Sequence, residues 1–516
     1  MAGRGFGVSD QKNVMFIIID QLRADALFGE LANHVDLPNL RALMAESVTF
    51  KRNYSVTNPC GPSRVSILTG QYAMNHRSVR NGTPLRHDTP NLATEARKAG
   101  YMPMLFGYTD TSQDPRAYPP NDPALKTYEH SMYGFYEVVE MRLDESYPWR
   151  ADLIAKGYDV PDYSDFYIPA APEGRARRID DPAFYKAEDS DTAFLTKACL
   201  TKLAARKKES WFSHLTYIRP HPPLVAPAPY NRMYDPKSLP LPARLDSAES
   251  EREIHPFFAP AHAHQPAESF VKGFPDLNAD DDDIRTLRAV YLGLATEVDL
   301  HIGRVITFLK DTGQYDNTLL VVTADHGEML GDRFSWGKMS VYDAAYHTPL
   351  IVRDPLNPQM HGAEVSKPTE TIDITPTILD WMGQDIPSSM DGSSLTPFLS
   401  GGNTENWPDY SYSELDFANP VSPTIWQQEL GLGPSSANLA ILRGPRYTLV
   451  HFNGGLPPLL FDKDSEGEFR NLAAEPEMTP IVLDMTRKLL DHRMENADQT
   501  LATTMITAKG PVRGSR

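Results

Sequence analysis

Asn13-Val14-Met15-Phe16-Ile17-Ile18-Ile19-Asp20-Gln21 is the stretch whose reading decides the fold. Its apolar run, Val14 to Ile19, is too short to span a bilayer and stops at Asp20. It also lacks the length of a secretory core and a small-residue cleavage site, so a cytoplasmic protein without a membrane partner is expected. A short, unbroken run of β-formers reads as a buried central strand. Further β-rich runs at 50–56, 102–108, 211–218 and 318–323 alternate with amphipathic segments at 37–46, 62–72 and 284–309. This alternation predicts an α/β fold, a large and mostly parallel mixed sheet flanked by helices. Pro62 falls in the first turn of its helix, where no donor is lost. The acidic run at 280–283 precedes the helix 284–309 and reads as an N-terminal cap, since it lacks the alternating ligands and Gly of a calcium loop.

Beyond residue 371 the pattern changes. A helix at 374–383, short strands at 440–442, 447–452 and 459–461, and a last helix at 479–496 predict a smaller antiparallel sheet with a covering helix. We therefore expect a catalytic unit over 1–372 and a C-terminal α+β unit over 373–516, with a polar tail from 497 that is extended and docked on a neighbouring subunit. Two Pro-rich stretches, 118–188 and 222–283, read as long connections over the mouth of a site. The histidines at 255, 262 and 264 lie in the second and read as a solvent-exposed loop rather than metal ligands.

The chain has 516 residues and a formal charge of -18. Such an acidic balance argues against nucleic-acid binding, which needs surface Lys and Arg to displace counterions. Two cysteines make no disulfide framework. Cys199 lies in a helical pattern and reads as a buried, inert thiol, whereas Cys60 opens Cys60-Gly61-Pro62-Ser63-Arg64 at a loop-to-helix junction.

In open α/β sheets ligands bind beyond the carboxyl ends of the strands. Asp20-Gln21 follows one expected strand, Tyr108-Thr109-Asp110-Thr111 another, Arg219-Pro220-His221-Pro222 a third and Asp325-His326 a fourth. Carboxylates from Asp20 and Asp325, the Gln21 amide oxygen and a His326 nitrogen suit one divalent metal ion. One nitrogen among mainly oxygen donors favours manganese, with calcium and ferrous iron as alternatives. Arg64, one helical turn beyond Cys60, can face the same site and fix an oxyanion. Lys338 can return to neutralise a substrate oxygen. His221, flanked by two prolines, is a candidate general acid for a leaving oxygen or base for the following step.

On these residues the chain resembles the formylglycine-dependent sulfatases of the alkaline phosphatase superfamily, and most of all their bacterial phosphonate monoester hydrolase and arylsulfatase members. The likeness runs from residue 13 to about 472, through the Cys60 motif, Met74-Asn75-His76-Arg77, the strand-end residues and 457–462. It implies that Cys60 is oxidised to formylglycine by a formylglycine-generating enzyme, and that the modified residue joins Asp20, Gln21, Asp325 and His326 around the metal. It also implies that Arg64, His221 and Lys338 are catalytic and that Asn81, Tyr108, Thr109 and Thr111 meet a small anionic ester. Gln21 and His326 stand where many sulfatases carry Asp and Asn, which favours the phosphonate branch. A carboxylate at Asp110 would repel a dianion unless the metal or Lys338 screens it.

The activity implied is hydrolysis of phosphonate monoesters, phosphate diesters and sulfate monoesters. A formylglycine hydrate hydroxyl attacks sulfur or phosphorus, and deprotonation of the second hydroxyl expels the product. A dedicated arylsulfatase, a metal-dependent phosphodiesterase using unmodified Ser63 or Cys60, and a non-catalytic binding protein are the competing expectations. The tail and the resemblance together imply a homotetramer or dimer.

Overall fold

The computed structural model describes residues 12–143 and 146–513. The strands, in chain order, are β1 (Asn13–Ile19), β2 (Val48–Tyr54), β3 (Thr57–Asn58), β4 (Pro103–Gly107), β5 (Tyr136–Glu140), β6 (Phe212–Tyr217), β7 (Thr318–Ala324) and β8 (His347–Arg353). They continue with β9 (Glu364–Val365), β10 (Thr369–Glu370), β11 (Ser411–Asp416), β12 (Asn438–Arg443), β13 (Tyr447–Phe452), β14 (Leu459–Asp462), β15 (Thr504–Thr507) and β16 (Gly510–Arg513). The main sheet runs β10-β2-β8-β7-β1-β6-β4-β5, with β9 added beside β2. From β7 to β5 every pairing is parallel, and β8 is antiparallel to both β7 and β2.

β1 is central, as its sequence predicts, and both of its faces are buried. Met15, Ile17 and Ile19 share one core with the helices Asp191–Ala204 and Asp281–Asp311. Val14, Phe16 and Ile18 face the opposite core, formed with Val65, Ile67 and Leu68 of the helix Cys60–Thr69 and with the helix Ile374–Trp381. The period of two thus feeds both layers from one strand. Asp280 caps the long helix by accepting from the backbone N–H groups of Asp282 and Asp283, both at 2.9 Å.

The smaller sheet, β14-β13-β12-β11-β3, is antiparallel except where β3 joins β11 in parallel. Its covering helix, Thr479–Glu495, packs Met485 and Leu489 against Leu442, Leu449 and Leu460. β3 comes from the turn that leads to Cys60, so the C-terminal sheet braces that turn directly.

Four expectations need correction. The connection 118–188 contains an edge strand, β5, and the helix Tyr147–Ala155. The stretch 222–283 contains the helices Ala248–Ile254 and Phe258–His264. Within it His255 and His262 are buried rather than solvated: His255 donates to the Pro457 carbonyl at 2.8 Å and stacks on Phe452 with ring centroids 4.2 Å apart. The tail is a hairpin, β15 against β16, rather than a single extended strand, and residues 514–516 lie outside the described residues. Among the described residues no helix is long and apolar enough to cross a membrane. Cys199 is buried with its thiol pushed up to about 12 by burial, in keeping with an inert role.

Candidate active site

Four strand ends converge at one mouth of the main sheet. β1 delivers Asp20 and Gln21, its neighbour β7 delivers Asp325 and His326, β6 leads to His221, and β4 leads to Tyr108 and Asp110. Cys60 is the first residue of the buried helix Cys60–Thr69. Gly61 is required by close approach: a Cβ there would lie 2.8 Å from Asn81 Oδ1 and 3.1 Å from the Asp110 carbonyl oxygen. That space lets the Gly61 N–H donate to Asn81 Oδ1 at 3.0 Å.

One donor atom each from Asp20, Cys60, Asp325 and His326 lies within 4.8 Å of the other three, and all four residues are buried. Cys60 Sγ is 3.1 Å from His326 Nε2 and 3.7 Å from Asp20 Oδ1. His326 Nδ1 donates to the Gly327 carbonyl at 2.9 Å, which leaves Nε2 with its lone pair turned to the cluster. Burial raises the Asp20 pKa and Asp325 adds to the rise. For Asp325, burial is outweighed by His326 and Arg64, and the net direction is down. Two buried carboxylates, a neutral imidazole and the atom at position 60 fit a divalent cation.

Arg64 braces that donor set. Its Nε donates to Asp325 Oδ2 at 2.9 Å, and its Nη2 donates to Asp20 Oδ2 at 3.2 Å and to the Tyr108 hydroxyl at 3.0 Å. The Tyr108 hydroxyl in turn donates to Asp20 Oδ2. Arg64 is fully buried, so it acts through the carboxylates it clamps.

Gln21 reaches the cluster by another route. Its Oε1 accepts from Lys338 Nζ at 2.6 Å and its Nε2 donates to Glu328. An amide oxygen has a second lone pair, so this bond leaves one acceptor site. Glu328, which follows His326 closely in the sequence but was given no role from it, also accepts from the N–H groups of Leu330 at 2.8 Å and Gly337 at 2.6 Å, fixing the turn that carries Lys338. Gln21 has a left-handed backbone with φ of 65°, strain of the kind that functional sites hold.

Lys338 Nζ also donates to His221 Nε2 at 3.1 Å, and His221 Nδ1 donates to the Pro222 carbonyl at 2.5 Å. The resting pair therefore carries its mobile proton on Lys338, with His221 neutral. Burial, then Lys338, holds the His221 pKa well below its usual range. Arg219, quoted in the sequence at this strand exit but given no role there, supports this loop. It is fully buried, pairs with Asp191 at 3.1 Å, and donates to the carbonyls of His221 and Pro223 at 3.0 and 3.1 Å.

A cavity of about 350 Å³ opens onto Asp20, Cys60, Asn81, Tyr108, Asp110, His221 and Lys338, with Arg80, Tyr128, Phe417 and Trp426 farther out. Thr109 and Thr111 are not among the residues that line it. Thr109 Oγ1 accepts from Met132 N at 2.7 Å, and Thr111 Oγ1 donates to the Thr109 carbonyl at 3.2 Å, so both hydroxyls serve the local loop. Ser63 is no free nucleophile either, since its buried hydroxyl donates to the Asp325 carbonyl at 2.6 Å. Burial, then Asp20, pushes the Cys60 thiol well above its usual range, so an unmodified Cys60 is protonated and poorly nucleophilic.

A buried set of oxygen and nitrogen donors, cations aimed at a small cavity and a nucleophile position at a helix start define a hydrolase of sulfuric or phosphoric esters. The sulfatase family profile matches residues 12–384, and a profile for the C-terminal region of N-sulphoglucosamine sulphohydrolase matches 331–495. The chain belongs to the sulfatase family, within the alkaline phosphatase superfamily. It is 37% identical over 512 residues to the multifunctional alkaline phosphatase superfamily protein PehA of Trinickia caryophylli, covering 97% of this chain and 98% of that protein. Among solved structures, the phosphonate monoester hydrolase SpPMH of Silicibacter pomeroyi is 63% identical with a TM-score of 0.96, covering 98% of this chain and 99% of that one. The phosphonate monoester hydrolase of Agrobacterium radiobacter is 39% identical with a TM-score of 0.92, covering 98% and 100%. The chain is thus a hydrolase of the phosphonate monoester hydrolase and sulfatase type.

Proposed function

We propose that this enzyme hydrolyses phosphonate monoesters, phosphate diesters and sulfate monoesters, all singly charged tetrahedral esters, with a formylglycine made from Cys60. The observation that carries the reading is the position of Cys60, at a helix start, beside two clamped carboxylates and an imidazole. The 63% identity to a phosphonate monoester hydrolase supports the choice of phosphorus esters. Asp20, Asp325, His326, residue 60 and the Gln21 oxygen would hold one divalent ion, manganese by preference, with calcium or ferrous iron as alternatives. When bound, the ion supplies Lewis acidity at the nucleophile and positive charge for the ester oxygens.

The chain's own groups divide the remaining work. Asn81 and Tyr108 shape the anion pocket, and Arg64 holds the two carboxylates at fixed spacing. Lys338 carries the proton that the leaving oxygen needs, and His221 accepts a proton in the following step. Residue 60, as an aldehyde hydrate, offers one hydroxyl for attack. Loss of the proton from its second hydroxyl breaks the carbon–oxygen bond and frees the product.

Maturation by a formylglycine-generating enzyme belongs to the same proposal, as do a cytoplasmic setting and a homotetramer or dimer. Met505, Ile506 and Val512 on the exposed C-terminal hairpin, with Leu501 just before it, support the self-association. Mass spectrometry of the Cys60 peptide from active enzyme tests the central step. The expected mass reflects replacement of the thiol-bearing carbon by an aldehyde, and a quantitatively unmodified cysteine in fully active protein would overturn the proposal.

A further inference from the structure

The proposed chemistry leaves Asp110 without a task. It follows β4 with a left-handed backbone, φ 49°, which Asp tolerates better than most residues. It is 6% exposed and lines the cavity beside Cys60, Asn81 and Tyr108. Its Oδ1 is buried without a hydrogen-bond partner, a state that costs free energy until a donor arrives. Its Oδ2 stands 4.0 Å from Arg64 Nε, beyond hydrogen-bond range.

Arg64 has no need of this carboxyl. Its Nε is taken by Asp325, its Nη2 by Asp20 and the Tyr108 hydroxyl, and its Nη1 donates to the Tyr108 carbonyl at 3.3 Å. Burial raises the Asp110 pKa well above the usual range, Arg64 opposes the rise and Glu129 adds to it. A buried carboxyl beside another acid recovers most from a ligand that brings both a hydrogen and a positive charge.

We infer that Asp110 receives a hydrogen-bond donor, an ammonium group in preference to a hydroxyl, carried by the substituent that stays on phosphorus. The inference rests on the phosphonate reading of the site. Lys338 attends the leaving oxygen with His221 beside it, whereas Asp110 lines the cavity beside Cys60, Asn81 and Tyr108, its carbonyl oxygen packed where a Gly61 side chain would stand. The substrate class is monoesters of aminoalkylphosphonic acids, zwitterions whose phosphonate anion would meet Lys338 and the cation that Asp20, Asp325 and His326 would hold, while the ammonium meets Asp110.

Three nitrophenyl monoesters test this, those of aminoethyl-, hydroxyethyl- and propylphosphonic acid, which share a leaving group and differ at one terminal group. With metal-loaded, formylglycine-bearing enzyme, kcat/KM should fall in that order, the amine exceeding the propyl ester by about tenfold or more. D110N keeps an acceptor but removes the charge, so the amine should drop to the level of the hydroxyl ester. In D110A the three constants should converge to within about twofold, with metal content and thermal midpoint retained to show that the fold is intact.

Equal constants in the wild type overturn the inference, as does an equal loss on all three esters in D110A, which would mark a merely structural role. Failure of the phosphonate reading looks different. None of the three would then be turned over while nitrophenyl sulfate is hydrolysed, and the inference would fall with it.

Discussion

Replacing Glu297 by Gln tests the electrostatics beneath the His221 loop. Glu297 is buried in the helix Asp281–Asp311, its Oε1 accepts from Ser190 Oγ at 2.5 Å, and its Oε2 has no partner. Burial, and then the nearby Asp191 that pairs with Arg219, lifts its pKa from 4.5 to about 8. Between those values the folded protein keeps a proton that the unfolded chain releases. The stabilisation is therefore complete below the unfolded pKa and is lost as pH rises through the folded one, with a slope of about 1.4 kcal/mol per pH unit.

Between about pH 5.5 and about pH 7.5 this route removes about 2.5 kcal/mol from the wild type and nothing from E297Q. The extra N–H of the amide finds no prepared partner and adds a cost that does not vary with pH. The change of the difference with pH is therefore the observable, rather than the difference itself. An unfolding entropy of about 2.1 cal/mol/K per residue gives about 1.1 kcal/mol/K for this chain, so 2.5 kcal/mol corresponds to about 2 °C. Scanning calorimetry should show the midpoint of E297Q minus that of the wild type growing by about 2 °C over that interval. A difference that stays constant or shrinks would refute a neutral Glu297 in the folded state.

A single lysine ammonium cannot span Asp20 and Asp325 as the Arg64 guanidinium does, so R64K should weaken metal affinity by about 10- to 100-fold in a chelator competition; unchanged affinity would reject the bracing role. K338A should lower kcat/KM by about 10²- to 10⁴-fold on alkyl esters and far less on nitrophenyl esters, and an equal loss on both would remove Lys338 from the leaving-group side. Q21E sets two carboxylates face to face at Glu328, and adding E328Q reverses the polarity of that bond; the cycle should show about 1–3 kcal/mol of favourable coupling in thermal stability, whereas additivity would mean that the pair does not interact.

The strands that end in chemistry were legible because each is buried on both faces and reads as an unbroken β-rich run, as in β1 and β7. β8 was not. Its sequence, His-Thr-Pro-Leu-Ile-Val-Arg, places Pro349 inside the strand, and only the third layer of pairing between β2 and β7 explains why it is there. β5 pairs on one side only and is half exposed, so its pattern carried little signal. His255 and His262 looked solvated because the stretch 255–264 is rich in Pro and Ala. The burial of His255 comes from the C-terminal sheet nearly two hundred residues on, through Phe452 and Pro457. The metal-cluster residues were readable as polar groups just past strands. The roles of Glu328 and Arg219, which also follow strands, were not, because each works through another side chain or a carbonyl and has no motif of its own.

Charge balance explains why an amide at position 21 matters. The carboxylates of Asp20 and Asp325 are matched in number by Arg64 and Lys338, and the buried His326 has its pKa lowered by desolvation, so it adds no charge. Gln21 keeps that shell neutral where a third carboxylate would make it negative. A divalent ion held in a neutral shell acts on the ester with its charge undivided, and a singly charged ester leaves the complex positive rather than closing the balance. Residual positive charge at the metal and the unpartnered Oδ1 of Asp110, at the cavity, then make opposite demands on one small molecule. A substrate that is anionic at phosphorus and cationic at the end of its retained chain meets both demands. A phosphate monoester, doubly negative and without a cation, meets only the first and brings its second charge toward Asp110.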